Sequence, residues 1–335
     1  MADRRRIVKR LAIGCGGLLA LVVNAAVVLM FFNPWAPKVT VTDPGQGGTR
    51  ITENGLLGNY YPAVGAERRP GVLVFGGSEG GLSQGSDRIA RTLSKEGFSA
   101  LAISYWGGPG QNPRMEKVPL ETFDTALGWL GRQPSVDPQR LGIMGASKGG
   151  EASLLVASRN PQVRAAVGYV PSSVVWQGFD QAQPWRMAFG MESTWSAGGQ
   201  PVPPLPYSSR YRGGDLVDLY RMSLEDNLAA HPEAVIPVEK ARGPLLLICG
   251  EKDTMWPSCA MSADVKKRAT EHGHPAVTVL AYADAGHMIF GPPVPTNIEF
   301  YDKLGVLGGT PDANNAAAAD SWPKVVTFLT RQLKS

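Results

Sequence analysis

The chain is poor in the residues that would mark several common functions. It has three cysteines, Cys15, Cys249 and Cys259, too few for a disulfide framework. Cys249 ends a predicted buried strand, where a thiol usually serves as packing, and nothing in the sequence supports a Cys249–Cys259 bridge. There are four histidines, and no His, Cys, Asp or Glu group has metal-ligand spacing, so neither a metal nor another cofactor is expected. Charge of neither sign dominates: 33 basic residues stand against 29 acidic ones. Five of the basic residues (Arg4, Arg5, Arg6, Lys9, Arg10) fall in the first ten positions, so the remainder is close to neutral and no nucleic-acid partner is expected. Internal repeats are absent, and Ala316 to Ala319 is the only low-complexity block.

Glycine is plentiful, with 40 residues in a chain of 335, a length at which a single α/β domain buries a full core. The one long apolar run is 11–32, uncharged and interrupted strongly only by Asn24. It is long enough to cross a bilayer as a helix. A cleaved signal peptide would have a shorter apolar region and a small-x-small site, for which Asn24-Ala25-Ala26 is a poor match. An uncleaved anchor fits better, and the basic flank 1–10 predicts a cytoplasmic N-terminus with the rest of the chain outside. Asn33-Pro34-Trp35 ends the span, with Trp35 at the interface.

Residues 33–69 form a connecting segment in which an opening antiparallel hairpin is predicted. From 70 onward, short apolar runs alternate with helical patterns. Strands are predicted at Gly71–Phe75, Ser99–Ser104, Arg140–Met144, Ala165–Val170, Pro244–Cys249 and Ala276–Tyr282. Helices are predicted at Ser86–Glu96, Leu120–Gly131, Ala152–Ala157, Cys259–Glu271 and Asp320–Leu333. This order predicts a doubly wound, mostly parallel sheet with right-handed crossovers over 70–335. The pattern breaks between about 172 and 242, which reads as a lid insertion. Its Trp176, Phe179, Trp185, Phe189 and Trp195 suggest an apolar-lined wall.

Gly145-x-Ser147-x-Gly149 stands between an apolar strand and an alanine-rich helix, the context of a nucleophile elbow. A serine hydroxyl needs a base to take its proton. His231 precedes a proline in the lid, and His272 and His274 flank a glycine at a helix end. His287 alone follows a strand through a short glycine-containing loop, so it is the expected base. Asp253, three residues past a predicted core strand, is preferred to Asp284 as the acid that orients it, because Asp284 is too close along the chain. The oxyanion would meet the Lys148 N–H and a second amide, from Ser78 or Glu79, in the loop Gly76-Gly-Ser-Glu-Gly-Gly81. That loop lacks the ending of a P-loop and the spacing of a dinucleotide fingerprint, which disfavours a phosphate cradle. Glu151 reads most simply as a carboxylate favoured near a helix N-terminus.

Several separated stretches over about 70–333 resemble the acyl-CoA thioesterase and bile acid-CoA:amino acid N-acyltransferase family. They are Gly145-Ala-Ser-Lys-Gly-Gly-Glu151, Ile236-Pro-Val-Glu239, Gly243-Pro-Leu-Leu-Leu-Ile-Cys-Gly-Glu-Lys-Asp-Thr-Met-Trp-Pro-Ser258, Tyr282-Ala-Asp-Ala-Gly-His287, Gly308-Gly-Thr-Pro-Asp-Ala and Asp320-Ser-Trp-Pro-Lys324. The resemblance implies the α/β-hydrolase fold and a Ser147–Asp253–His287 triad that cleaves a fatty acyl thioester through an acyl-enzyme. Family members that transfer to amino acids are known for a cysteine nucleophile, so Ser147 implies water as the acceptor. The family's β-sandwich domain has no counterpart before residue 70, where the anchor stands instead. An orientation outside the cytoplasm, where acyl-CoA is scarce, keeps open a carboxylesterase or dienelactone-type hydrolase acting on another ester. A different class, a non-catalytic lipid-binding protein of this fold, also remains open.

Overall fold

A computed structural model describes residues 21–25, 27, 28, 33, 36, 38–65 and 67–334. The flank 1–10, Cys15, Trp35 and most of the predicted span 11–32 lie outside the described residues. No helix among the described residues is long and apolar enough to cross a membrane.

The chain divides into two compact units. The smaller draws on residues up to Lys38 and on Asp180–Gly190. Within it, Asn33 Nδ2 donates to the Ala182 carbonyl at 3.0 Å, and Arg186 meets Asp180 at 3.0 Å. Pro184–Phe189 forms a 3-10 turn that sets Trp185 edge-on to Phe189.

The larger unit, Val39–Phe179 with Met191–Ser335, opens with strands β1 (Thr49–Ile51), β2 (Leu57–Tyr61) and β3 (Arg69–Phe75). Helix α1 (Gln84–Lys95), β4 (Ser99–Ser104), β5 (Val118–Pro119) and α2 (Glu121–Gly131) follow. Next come β6 (Val136–Ala146), α3 (Lys148–Arg159), β7 (Val163–Tyr169), β8 (Trp195–Ala197), β9 (Gln200–Pro201) and α4 (Leu216–Asn227). The last are β10 (Leu245–Gly250), α5 (Ser258–Glu271), β11 (Val277–Tyr282) and α6 (Pro311–Leu333).

Eight strands form one sheet in the order β1-β2-β4-β3-β6-β7-β10-β11. The β1–β2 and β2–β4 pairs are antiparallel; every later pair is parallel, as the alternating order predicts. The central strands are buried on both faces, which is why Val72, Leu73, Val74 and Phe75 read as an unbroken apolar run. Each such side chain contributes about 1.5–3 kcal/mol on burial. One face packs under α1 and α6 through Ile89, Leu93, Trp322 and Leu329. The other packs under α2, α3 and α5 through Phe123, Leu127, Leu154 and Val265. Parallel strands covered on both faces put all their carboxyl ends along one edge of the sheet.

Two expectations are corrected. Helix α6 starts at Pro311, not Asp320, because Thr310 caps it by accepting the Ala313 N–H at 3.1 Å and proline is favoured at the first helical position. Pro323 therefore lies in the middle of the helix, not in its first turn. Between β7 and β9, Trp176 and Trp195 are fully buried in separate clusters, so they do not line one open wall. Trp195 joins Phe75, Tyr105 and Phe123 in the core, and Trp176 packs with Tyr207 and Tyr220.

Candidate active site

Strand β6 ends at Ala146 and α3 begins at Lys148, leaving Ser147 alone to make the turn. Its φ of 56° and ψ of −121° are a strained conformation for a side chain other than glycine. The strain is held by close backbone packing. A Cβ at Gly145 would lie 2.4 Å from the Gly149 carbonyl oxygen, and one at Gly149 would lie 2.1 Å from that of Gly76. Both glycines of the motif are thus required by contact. The Ser147 N–H is anchored on the Tyr169 carbonyl of β7 at 2.9 Å.

Asp253 follows β10 by three residues, and His287 follows β11 by five. Both are about 95% buried, and His287 Nδ1 hydrogen-bonds Asp253 Oδ2 at 2.8 Å. With Nδ1–H donating there, Nε2 is left to accept a proton. The other carboxylate oxygen of Asp253 accepts the Met255 and Trp256 amides at 2.9 and 3.2 Å, which fixes the side chain in its turn. The Trp256 ring stands edge-on to the imidazole, and its indole donates to the Val170 carbonyl. Asp284 is exposed and has no hydrogen bond to His287; with Asp253 and its neighbours Lys252 and Thr254 it lines a cavity of about 700 Å³. Of the remaining histidines, His231 pairs with Glu233, His272 ends α5, and His274 bonds the Ala241 carbonyl.

The Asp253 loop carries a feature that the sequence did not support. Cys249 and Cys259 are disulfide-bonded, with Cα atoms 5.1 Å apart. The loop between them turns α5 back beside β10, which brings the end of the strand and the first turn of the helix within bridging distance.

Lys148 heads α3, where a backbone N–H has no intrahelical acceptor and is available to a ligand. The glycine loop lies directly against Ser147: a Cβ at Gly77 would sit 3.0 Å from Ser147 Cβ. Ser78 is half-buried and Glu79 exposed. The Glu79 carboxylate folds back to accept the Gly77 N–H at 2.8 Å. The loop is held from behind by the Tyr105 hydroxyl, which donates to the Gly77 carbonyl at 2.6 Å and that of Gly76 at 3.1 Å. Burial, with the Glu79 and Glu151 charges, pushes the Tyr105 phenol well above its ordinary value, so it stays a donor.

Glu151 is more than a first-turn carboxylate. It is fully buried, accepting Lys148 Nζ at 2.8 Å, Trp195 Nε1 at 2.7 Å and the Trp176 N–H at 3.2 Å. Burial raises its pKa and lowers that of Lys148, each shift being opposed by the partner's charge. The elbow helix is thereby tied to two stretches of the chain between β7 and β9. The sequence offered one signal, a Lys and a Glu three apart on a helix, but nothing marked the tryptophans as their partners.

Comparison with known proteins gives this arrangement a context. The chain is 28% identical to human acyl-coenzyme A thioesterase 2, mitochondrial, over 79% of its own length and 52% of the relative's. It is 28% identical to mouse bile acid-CoA:amino acid N-acyltransferase, over 87% and 66%. The chain thus spans about half to two thirds of the length of these curated relatives. Among solved structures, a putative dienelactone hydrolase from Klebsiella pneumoniae subsp. pneumoniae MGH 78578 superposes with a TM-score of 0.53 at 18% identity, covering 85% of this chain and 98% of that one. The acylaminoacyl peptidase of Pyrococcus horikoshii gives 0.54 at 14%, covering 86% and 41%. These likenesses show an α/β-hydrolase-like fold. Residues 118–335, most of the larger unit and every residue from the elbow onward, match the BAAT / acyl-CoA thioester hydrolase C-terminal model, and the chain belongs to that family.

Proposed function

We propose that the protein is a serine hydrolase cleaving fatty acyl thioesters through an acyl-enzyme. The observation that carries this reading is the 2.8 Å bond from His287 Nδ1 to the buried Asp253, at the same sheet edge as the strained Ser147. Ser147 Oγ attacks the acyl carbonyl as His287 Nε2 takes its proton. Asp253 keeps the imidazole in that tautomer and offsets its charge once protonated. The oxyanion is met by the Lys148 N–H and by an amide of Ser78 or Glu79. His287 then protonates the departing thiolate, and water, activated by the same base, releases the acid. The family's named thioesterases support the thioester as substrate.

The run 11–32 serves as a membrane anchor, with the basic flank inside and the catalytic residues outside the cytoplasm. The Cys249–Cys259 disulfide suits an oxidising compartment. That placement favours a second reading, a carboxylesterase acting on a non-CoA lipid ester.

Full-length protein in detergent is assayed with a panel of acyl-CoAs and simple acyl esters, and labelled with a fluorophosphonate. Thiol release and labelling, both abolished in Ser147→Ala with the fold retained, are expected. Ester cleavage without thiol release moves the assignment to carboxylesterase. Absence of labelling in folded protein removes the enzymatic reading. Protease protection in sealed vesicles tests the orientation.

A further inference from the structure

The base and the acid stand on separate loops, after β11 and β10, yet one carbonyl serves both. Leu307 O accepts the His287 N–H at 3.1 Å and the N–H of Thr254, the residue after Asp253, at 3.3 Å. The segment carrying Leu307 is pressed against both loops. Gly309 bridges Ala285, and a Cβ at Gly308 would lie 1.8 Å from the Lys252 carbonyl oxygen. Gly308, at φ 92°, therefore tolerates no side chain.

This segment is keyed by one side chain. Asn314, in the first turn of α6, is fully buried. Its Oδ1 accepts the N–H of Gly286, next to His287, at 2.6 Å. Its Nδ2 donates to Leu304 O at 2.6 Å and to Gly308 O at 3.0 Å. One amide thus grips the His287 loop with its oxygen and both ends of the 304–308 turn with its nitrogen. An acceptor and two donors on one planar group are what Asn supplies and Asp or Leu does not.

We infer that Asn314 is a positioning residue for the reaction, which sets the Asp253–His287 spacing through the 304–309 segment while touching neither substrate nor reacting atoms. This rests on the roles proposed for Ser147, Asp253 and His287. Loops leaving different strands have no intrinsic reason to hold two side chains at 2.8 Å. A displacement on the order of 1 Å at such a pair costs about 100-fold in rate.

The test compares full-length Asn314→Ala, Asn314→Asp and Val325→Ala, the last a fully buried core position on the same helix that controls for lost stability. For Asn314→Ala the expected result is a kcat lower by about 10–100-fold with KM within about twofold. Fluorophosphonate labelling should slow by a similar factor, and the downfield proton resonance of His287 Nδ1–H should weaken. Asn314→Asp, which keeps the shape and the Gly286 acceptor but sets an oxygen against the Leu304 and Gly308 carbonyls, should show the same pattern to at least the same degree, and whichever variant folds decides the matter. Val325→Ala should lose stability without losing kcat. The inference is overturned if both Asn314 variants label and turn over at the wild-type rate per folded molecule. It is equally overturned if Val325→Ala, matched in thermal stability, loses as much kcat. Ser147→Ala run in parallel separates the two levels: if it retains activity, the assigned machinery is wrong, whereas its inactivity beside unaffected Asn314 variants defeats the positioning role alone.

Discussion

The indole N–H of Trp195 donates to the carboxylate of Glu151 at 2.7 Å, and both residues are fully buried. Trp195 lies in β8 and Glu151 on the helix that carries Ser147, so the bond couples that strand to the elbow. Glu151→Ala would strip Lys148 of its counter-ion inside the protein and leave the indole unmet. A loss of about 3–5 kcal/mol is expected. Glu151→Gln, which keeps an acceptor for the tryptophan, should lose less, about 1–3 kcal/mol. Urea unfolding of both variants checks the order; equal losses would refute the coupling.

Tyr105→Phe removes the hydroxyl that holds the Gly76 and Gly77 carbonyls. Stability should fall by about 0.5–1.5 kcal/mol. Because that loop is assigned an oxyanion donor, kcat should fall while KM holds. Steady-state kinetics would contradict the assignment if stability dropped and kcat did not.

Opening the Cys249–Cys259 bridge, by serine at both positions, frees the loop between two positions ten apart in sequence, which carries Asp253. Loop-closure entropy puts the cost at about 2–3 kcal/mol. Thermal melts with and without a dithiol should show the same drop in the parent and no effect of dithiol on the double variant. A parent insensitive to full reduction would refute it.

Arg268 grips Glu239 with two hydrogen bonds, of 2.6 and 2.8 Å, and these hold the carboxyl below its ordinary value of 4.5. A depressed folded-state pKa means the contribution is complete above 4.5 and is lost as pH falls through the lower folded value. The pair is partly solvated, so the effect is about 1 kcal/mol or less. Glu239→Gln should be less stable than the parent at neutral pH and converge with it in acid. Parallel stability curves down to the acid limb would exclude the linkage.

What could be read in the sequence was whatever depends on neighbours along the chain. The strand–helix alternation, the glycines around Ser147 and the places of Asp253 and His287 just past strands are local patterns set by periodicity and turn chemistry. The partners that hold the site are distant in sequence. Nothing around Asn314 announces contacts with Gly286, and Pro323 and the alanine block concealed a helix whose cap is Thr310. Glu151 meets tryptophans 25 and 44 residues away, and the disulfide depends on a loop path that composition does not reveal.

The missing side chain at Gly149 has a consequence for redesign. The Gly149 Cα packs directly on the Gly76 carbonyl, backbone against backbone, so neither loop shifts without the other. Saturation libraries confined to either loop would therefore be depleted of working members. Transplanting the two loops together from one donor scaffold, as a single cassette, keeps that contact intact.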